Sequence, residues 1–417
     1  MAAPWRRIIR GSAEDSRAVS QGGITRRRFT LGSLAAAGAG MAAISLGGCS
    51  DTQNTDDGEP QVVTDDSQIV DVVDDYENVD SDLAASATYT LPLGTVLFHT
   101  EGSWAAAMMA PESSLNVNTL GVMSLSSGDL ITLITEPSQG QGYGFFDVRC
   151  SDGVFAWVEV DYTNRSWALI GQGISQGTLT GDAVKLDEGD SDWEPPRFTV
   201  WGTSVIWYHM PQASGNSSSE DSHCYQWTLG DTEGQEIWTS HGRFSASPRV
   251  ADNILTIVPR VRDEEGVYYG LTAIDLTAGD NARRAQLVLP RSVAPFEATY
   301  FNESFAFSIE ASYNGVGSLG NMGTYVGVEG GPYVYLRREP QSCALMLGSR
   351  YVMKSQASHF VIDPSAQTYS VLSAPDRCLD FGDWTASEGV TDRLLTYATV
   401  RNEQGIPASV TARVFAV

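Results

Sequence analysis

The chain has 417 residues, of which 18% are charged, 10% are aromatic and 41 are Gly, and its net charge at pH 7 is −25. That composition suits many short strands and tight turns better than long surface helices. The first 48 residues hold seven Arg against Glu14 and Asp15, so the rest of the chain carries −30, the whole-chain −25 less this +5. Such a body repels a phosphate backbone, and no basic stripe with interleaved aromatics occurs, which argues against nucleic acid as a partner.

Residues 24–50 read ITRRRFTLGSLAAAGAGMAAISLGGCS. A cluster of Arg follows Thr25, and the apolar stretch after it, 31–46, is rich in Ala and Gly and too short for a comfortable membrane span. With Arg26 and Arg27 as its pair, this segment resembles a twin-arginine signal, the class that exports proteins already folded. Leu46-Gly47-Gly48-Cys49 resembles the lipobox of bacterial lipoproteins. The two resemblances imply that 1–48 is a signal peptide and that the mature chain begins at Cys49. Its sulfur would carry a diacylglyceryl group, which would anchor the protein to the outer face of the cell membrane. The stretch 1–23 ahead of the Arg cluster is long for such a signal, which points to a start further downstream.

Residues 50–85 contain twelve Asp or Glu, no Lys or Arg and few large apolar side chains. A segment of that kind buries too little surface to offset its ordering entropy, so 49–85 is expected to be a disordered acidic tether extended by its own repulsion.

From 86 to 417 one phrase recurs: turn residues, then a short β-prone run ending in an aromatic or large apolar residue. It is clearest as WGTSVIW, ending at Trp207, and returns as LGTVLF, SDGVFAW, ADNILTI, FNESFAF, LGSRYVM and TDRLLTY, ending at Phe98, Trp157, Ile257, Phe307, Met353 and Tyr397. Copies at roughly 45–60 residue intervals suit a multi-strand blade repeated around an axis. The expected fold is therefore all-β, a seven-bladed β-propeller over 86–417, with a pair of Ig-like sandwiches as the alternative. A second phrase recurs as LTAIDLTAGDNARRAQLVLP, GVMSLSSGDLITLITEP and FVIDPSAQTYSVLSAP, each a strand, a turn, a strand and a Pro. Together the phrases resemble the propeller units of TolB-like and related periplasmic repeat proteins. One strand is missing from the last unit and one is spare near Tyr89, so pairing the two ends closes the ring.

Cys343 and Cys378 each stand three residues after a strand-ending Pro and are a candidate disulfide in an oxidising compartment. Gly173-Ile174-Ser175-Gln176-Gly177 matches the G-x-S-x-G pattern of serine hydrolases but lacks the helix that holds such a serine on a strained elbow. The Gly315–Gly320 match to G-x-G-x-x-G is followed by a strand-like run, not a helix. Asp187, Asp190 and Asp192, with Glu188, offer oxygens to Ca²⁺ in a loop without the full EF-hand spacing, and no other cofactor is indicated. The regular phase of Trp157, Trp201, Trp207, Trp227 and Trp238 indicates blade packing in preference to a sugar-stacking surface.

If the recurring runs line the central channel, their ends collect Glu101, Glu159, His209, Arg260, Glu310, Lys354 and Arg401 as a mixed-charge rim. Under that expectation, removing the charges of Glu159, His209 and Arg260 abolishes ligand capture and spares stability. The function expected is non-catalytic: a membrane-anchored binding or scaffold module for an envelope protein, a wall glycan or a small solute. The alternative is a hydrolase or lyase with its site at the channel mouth.

Overall fold

The recurring turn has a backbone cause. In WGTSVIW the chain reverses over Gly202 and Thr203 between the paired residues Trp201 and Ser204, with Gly202 at φ +56°. The same reversal uses Asp252 (φ 53°), Asn302 and Glu303 (φ 47° and 56°) and Gly348 (φ 59°). Two-residue hairpins need left-handed backbone, which Gly, Asn and Asp adopt at least cost. Each such turn joins the first strand of a blade to its second.

The computed structural model describes residues 58–417, apart from 112, 114–115, 263–265 and 280; the expected signal segment with Arg26, Arg27 and Cys49 lies outside the described residues. Strands make up 52% of the structure and helices 3%. Six blades are found where seven are expected, each a meander of consecutive strands. Blade one is Val96–Phe98, Trp104–Met109, Thr119–Ser124 and Leu130–Ile134. Blade two is Tyr143–Cys150, Val154–Asp161, Ser166–Ser175 and Thr178–Gly189. Blade three is Phe198–Trp201, Ser204–His209, Ser222–Thr228 and Gln235–Ser240. Blade four is Arg249–Ala251, Ile254–Ile257, Tyr268–Asp275 and Arg283–Val288; its second line breaks at Pro259, which has no N–H to give, and resumes as Arg260–Val261. Blade five is Glu297–Phe301, Ser304–Ile309, Gly323–Gly327 and Tyr333–Leu336, and blade six is Leu345–Leu347, Arg350–Ser355, Ser358–Asp363 and Thr368–Leu372.

The seventh sheet is made differently. Trp384–Thr385, Arg393–Arg401 and Pro407–Ala416 supply three strands, and the outermost is Ala87–Pro92 from the other end of the described chain. Ala87 lies opposite Val414 and Pro92 opposite Ser409, antiparallel, so the expected closing strand is present and in register.

The core explains why the sheets form a ring. Apolar clusters join blade two to blade one and the seventh sheet, two to three, three to four, four to five, five to six, and six to the seventh sheet. Every sheet therefore buries both faces, one against each neighbour. The first strands of blades one to five touch in succession, which places first strands nearest the axis.

That order corrects the sequence reading of the channel. In blades two to six and in the seventh sheet the recurring run is the second strand, flanked on both sides within its sheet. Its alternation is between two blade interfaces: Phe155 and Trp157 face blade one, whereas Val154, Ala156 and Val158 face blade three. Val205 and Trp207 face blade two, and Ile206 and Tyr208 face blade four. None of these positions needs the channel. Trp157, Trp207 and Trp227 are buried, with their indole N–H groups bonded to Glu159, Asp187 and the Asp231 carbonyl, as core packing requires.

The second correction concerns only residues 58–85 of the expected acidic tether, because 49–57 lie outside the described residues. Residues 58–85 follow the outer edges of successive blades. The Gln61 N–H donates to the Val288 carbonyl of blade four (2.9 Å). Ile69–Asp71 then adds a parallel strand to blade five, and Glu77–Asn78 adds one to blade six. Val63 and Val72 are buried, and Leu83 packs where blade six meets the seventh sheet. Outer strands expose unpaired N–H and C=O groups that attract an extended chain, and the acids find cations there: Arg262 with Glu59, Arg337 with Asp71 and Asp74, Arg350 with Asp82. Composition hid these partners because each lies more than 200 positions away.

Candidate functional site

The residues expected at the rim fall into place by strand order. Glu159 ends the second strand of blade two and is wholly buried. It accepts the backbone N–H groups of Ser138 and Gln139 (2.9 Å each), the Ser138 hydroxyl (3.1 Å) and the Trp157 indole N–H (2.9 Å). Ser138 and Gln139 belong to the linker entering blade two. His209, at the same position in blade three, bonds through Nδ1 to Asp187 Oδ2 (2.9 Å) and packs on Trp193 of the incoming linker, with ring centroids 4.1 Å apart. In blade four the Arg260 N–H donates to Ser240 Oγ (3.0 Å). Glu310 follows the second strand of blade five, where Ser308 O takes the Phe296 N–H of the linker (2.7 Å).

Lys354 of blade six is buried, its ammonium donating to the Gln356 and Phe381 carbonyls (2.5 and 2.8 Å) over the Trp384 ring. Arg401, in the seventh sheet, reaches Asp380 (3.8 Å), and its N–H donates to Arg377 O (2.9 Å). The shared phase of these residues thus has a structural cause, since the end of each second strand is where the linker crosses on its way in. Glu101 does not join them. In blade one the recurring run is the first strand, so Glu101 sits on the turn at the opposite end, accepting the Gly202 N–H of blade three (2.5 Å). Burial, with Asp152 nearby, raises its pKa against that hydrogen bond.

The Ca²⁺ candidates are also engaged. Asp187 Oδ2 accepts from both Trp207 and His209, and Asp190 takes the Asp192 N–H (3.0 Å). No group of three or more ligating side chains with metal-site geometry occurs among the described residues. Cys343 and Cys378 are free thiols, which corrects the disulfide expectation. They occupy equivalent linkers, but Cys343 lies with Arg249, Glu297 and Glu388, whereas Cys378 pairs through its backbone with Val400 of the seventh sheet. Ser175 lies on the hairpin between the outer two strands of blade two, which closes over Gln176 and Gly177.

Sequence reasoning missed the strongest convergence of charge. Arg149, Arg249 and Glu297 stand on the first strands of blades two, four and five, and Glu388 follows the first strand of the seventh sheet. Arg249 grips Glu297 with two nitrogens (2.9 to 3.2 Å) and reaches Glu388 Oε1 (2.5 Å). Arg149 Nε lies 4.0 Å from the same Glu388 oxygen, and its guanidinium donates to Asp147 and the Val148 carbonyl beneath the Phe98 ring (4.4 Å). Arg149 and Arg249 are only 8% and 7% exposed, so this network fills the axis at its level. Burial opposes the Arg249 charge, but Glu297 and Glu388 outweigh it and hold the guanidinium protonated. A signal existed: in VRCSDG, PRVADN and EATYFN an ionisable residue sits three to five positions before the turn, inside an otherwise β-prone run.

Two further arrangements look chemical. His359 Nε2 meets Thr385 Oγ1 (2.8 Å), and its Nδ1 faces Asp383 Oδ1 (3.4 Å), which copies the order of an acid, a base and a nucleophile. His359 and Asp383 are 1% and 0% exposed, between blade six and the seventh sheet, so no substrate reaches them. Burial pushes the His359 pKa down despite Asp383. Burial alone would raise the Asp383 pKa, but His359, Arg413 and Thr396 outweigh it and hold the carboxyl well below the usual range. The second is a cleft of 640 Å³ between the 58–85 segment and blade five, walled by Asp66, Asp74, Asp75, Tyr325 and Tyr335. Both tyrosine hydroxyls donate to backbone carbonyls, Tyr325 to Ser318 and Tyr335 to Met322 (2.7 Å each).

These sheets define a β-propeller. Among solved structures, the chain is similar to a prolyl endopeptidase at 10% identity and TM-score 0.49, covering 75% of this chain and 46% of that one. A puromycin hydrolase matches at 12% and 0.45, covering 78% and 53%. The β-propeller domain of the Trilobed protease from Pyrococcus furiosus, described as having an open velcro topology, matches at 9% and 0.47, covering 73% and 92%. The chain thus spans about half the length of the first two proteins. No family model matches it, and no curated protein does.

Proposed function

We propose that this chain is a binding or scaffold propeller, exported by the twin-arginine route and held outside the membrane by a diacylglyceryl group on Cys49. Its partner is an envelope protein, a wall glycan or a small solute. The observation that carries the non-catalytic part is the use made of reactive side chains: the axial cations and carboxylates pair with each other, and the His359–Asp383–Thr385 relay is sealed. The address rests on the TRRRF and LGGC phrases. Changing Cys49→Ser should move the protein from the membrane to the soluble fraction, and Arg26→Lys with Arg27→Lys should stop export. Crosslinking in the native envelope, followed by identification of the attached species, names the partner; retention of the Cys49→Ser protein in membranes after signal removal overturns the anchor.

The hydrolase or lyase reading has one foothold. His209 and Asp187 are a histidine–carboxylate pair that solvent reaches, with side chains 21% and 16% exposed. Turnover of an envelope substrate that His209→Ala abolishes, in a protein of unchanged melting temperature, would establish that reading instead.

A further inference from the structure

The outer edges of the sheets differ in regularity. In blades one to four the pairing between the last two strands slips, at Leu120/Gly121, at Leu169/Ile170 and Gly171/Gly173, at Cys224/Tyr225 and at Ala273/Ile274. A bulge of this kind twists an edge away from any strand that could add to it. Blades five and six show no such slip: 334–336 and Thr368–Leu372 pair in unbroken register with the strand before. The seventh sheet ends on Ala87–Pro92, closed by a proline that has no N–H to offer. Of the six blades, only these two regular ones receive an added strand among the described residues: Ile69–Asp71 runs parallel to 333–335, and Glu77–Asn78 to 368–369.

The segment that supplies both strands is held lightly and apart from the ring closure. Its ladders have three and two residue pairs, against six for Ala87–Pro92. Residues 58–78 carry seven acids and no Lys or Arg. Arg262 meets Glu59, and Arg337 meets Asp71 and Asp74; the Arg337–Asp74 pair is 60% and 67% exposed, so salt screens it. Val63 and Val72 are the buried apolar side chains. The 640 Å³ cleft lies between Asp66, Ile69 and Asp75 on one side and Tyr325 and Tyr335 on the other, so segment and blade five meet incompletely. At the far end Val79, Asp80 and Ser81 are exposed and outside any strand, whereas Asp82 is tied to Arg350 and Leu83 packs on blade six. Few buried contacts and exposed ion pairs mark a part that opens locally while the rest stays folded.

We propose that residues 58–78 are a displaceable cover, and that the edge of blade five accepts in their place an acidic extended segment of a partner protein. The chain's own residues show what fits. The occupant runs parallel to Tyr333–Leu336, so its main chain pairs with an edge that no bulge deforms. It puts an apolar side chain where Val72 is buried and carboxylates where Asp71 and Asp74 meet Arg337. This rests on the binding reading above and narrows the partner to a protein.

The test uses the full chain and, as probe, a fluorescein-labelled peptide of residues 66–78, DSQIVDVVDDYEN. Val72→Asp puts a charge at a buried position and opens the cover; Asp71→Asn with Asp74→Asn is a milder opener that keeps Val72. Fluorescence anisotropy should show the peptide binding either opened protein at least about tenfold more tightly than the parent, in which the tethered copy competes. Adding Arg337→Glu should abolish that binding, and a peptide with Lys at the positions of Asp71 and Asp74 should restore it. Hydrogen exchange in the unaltered protein should run at least about a hundredfold faster at the bonded amides of Ile69–Asp71 than at those of Ala87–Pro92, and added salt should speed only the first. Equal exchange at the two strands would mean that the cover leaves only when the ring unfolds, which overturns it as a displaceable part. Opened protein that dimerises through its own segment, with the peptide unable to compete, overturns a foreign partner in favour of a second copy. Opened proteins that keep Ala87–Pro92 protected yet ignore the peptide overturn the strand-accepting edge, and leave a glycan or a solute as the partner of the binding reading.

Discussion

Replacing Glu159 with Ala separates a structural role at the strand ends from a ligand-binding one. The side chain is wholly buried and serves four donors, two of them backbone N–H groups of the linker that enters blade two. A hydrogen bond to a charged acceptor contributes about 1.5–3 kcal/mol, and a buried donor left without a partner costs about 1–3 kcal/mol, but the four share one carboxylate and do not add. With two or more buried donors left unpaired at about 1–3 kcal/mol each, the loss expected here is about 3–5 kcal/mol. An unfolding entropy of about 2 cal/mol/K per residue turns that into a drop of roughly 4–7 °C in melting temperature. Glu101→Ala is the internal control: it removes one hydrogen bond, to Gly202, from a part-exposed carboxylate and should cost about 1 kcal/mol. Thermal unfolding followed by circular dichroism reads both. A Glu159→Ala protein that melts within about a degree of the parent would refute the linker-clamp role and restore Glu159 to the list of residues free to bind.

Acid should weaken the ring through two buried histidines. Burial pushes the pKa of both His99 and His359 down, so below the unfolded value near 6.5 the unfolded chain binds protons that the folded one refuses, and stability falls with pH. Between pH 7 and pH 5 stability should fall measurably in urea titrations, by at most about 4 kcal/mol for two sites, and an unchanged pH slope in the His99→Gln, His359→Gln double variant would contradict it. Deleting 58–85 should lower the melting temperature by several degrees, because Val63 and Val72 alone bury side chains worth about 1.5–3 kcal/mol each; an unaltered melting curve would return that segment to the status of a spacer. Arg249→Leu strands Glu297 and Glu388 at the axis and should cost about 3–5 kcal/mol by denaturant unfolding, whereas a loss under about 1 kcal/mol would mean that the carboxylates find other donors.

The fold was legible because its signals are local. A left-handed turn residue followed by an apolar run is written within seven positions, as in WGTSVIW, and its return revealed the repeat. The closing strand was also legible, since TYTLP copies the outer-strand ending of other units. Strand order within a blade was not: a run that alternates between two dry interfaces and one that alternates between channel and core share the same period of two. That ambiguity moved the expected rim onto second strands, and it separated Glu101 from the others. The axial set escaped because Arg149, Arg249, Glu297 and Glu388 gain meaning only when four sheets bring them together. The acidic segment was misread for a related reason. Asp71 and Asp82 look solvated until Arg337 and Arg350 are folded beside them.

The pairing of Ala87–Pro92 with Pro407–Ala416 joins residues more than 300 positions apart. In an open stack of repeats the terminal units fray independently, but here the two ends share one sheet, so neither can melt without exposing the other. Contacts of that separation are the slowest to form, because the whole intervening loop must be ordered or closed first. The strand Ala87–Pro92 therefore waits, with its edge unpaired, until Pro407–Ala416 has been made. A chain cut short anywhere before Pro407 leaves that edge open, and a protease or a second nascent chain can reach it.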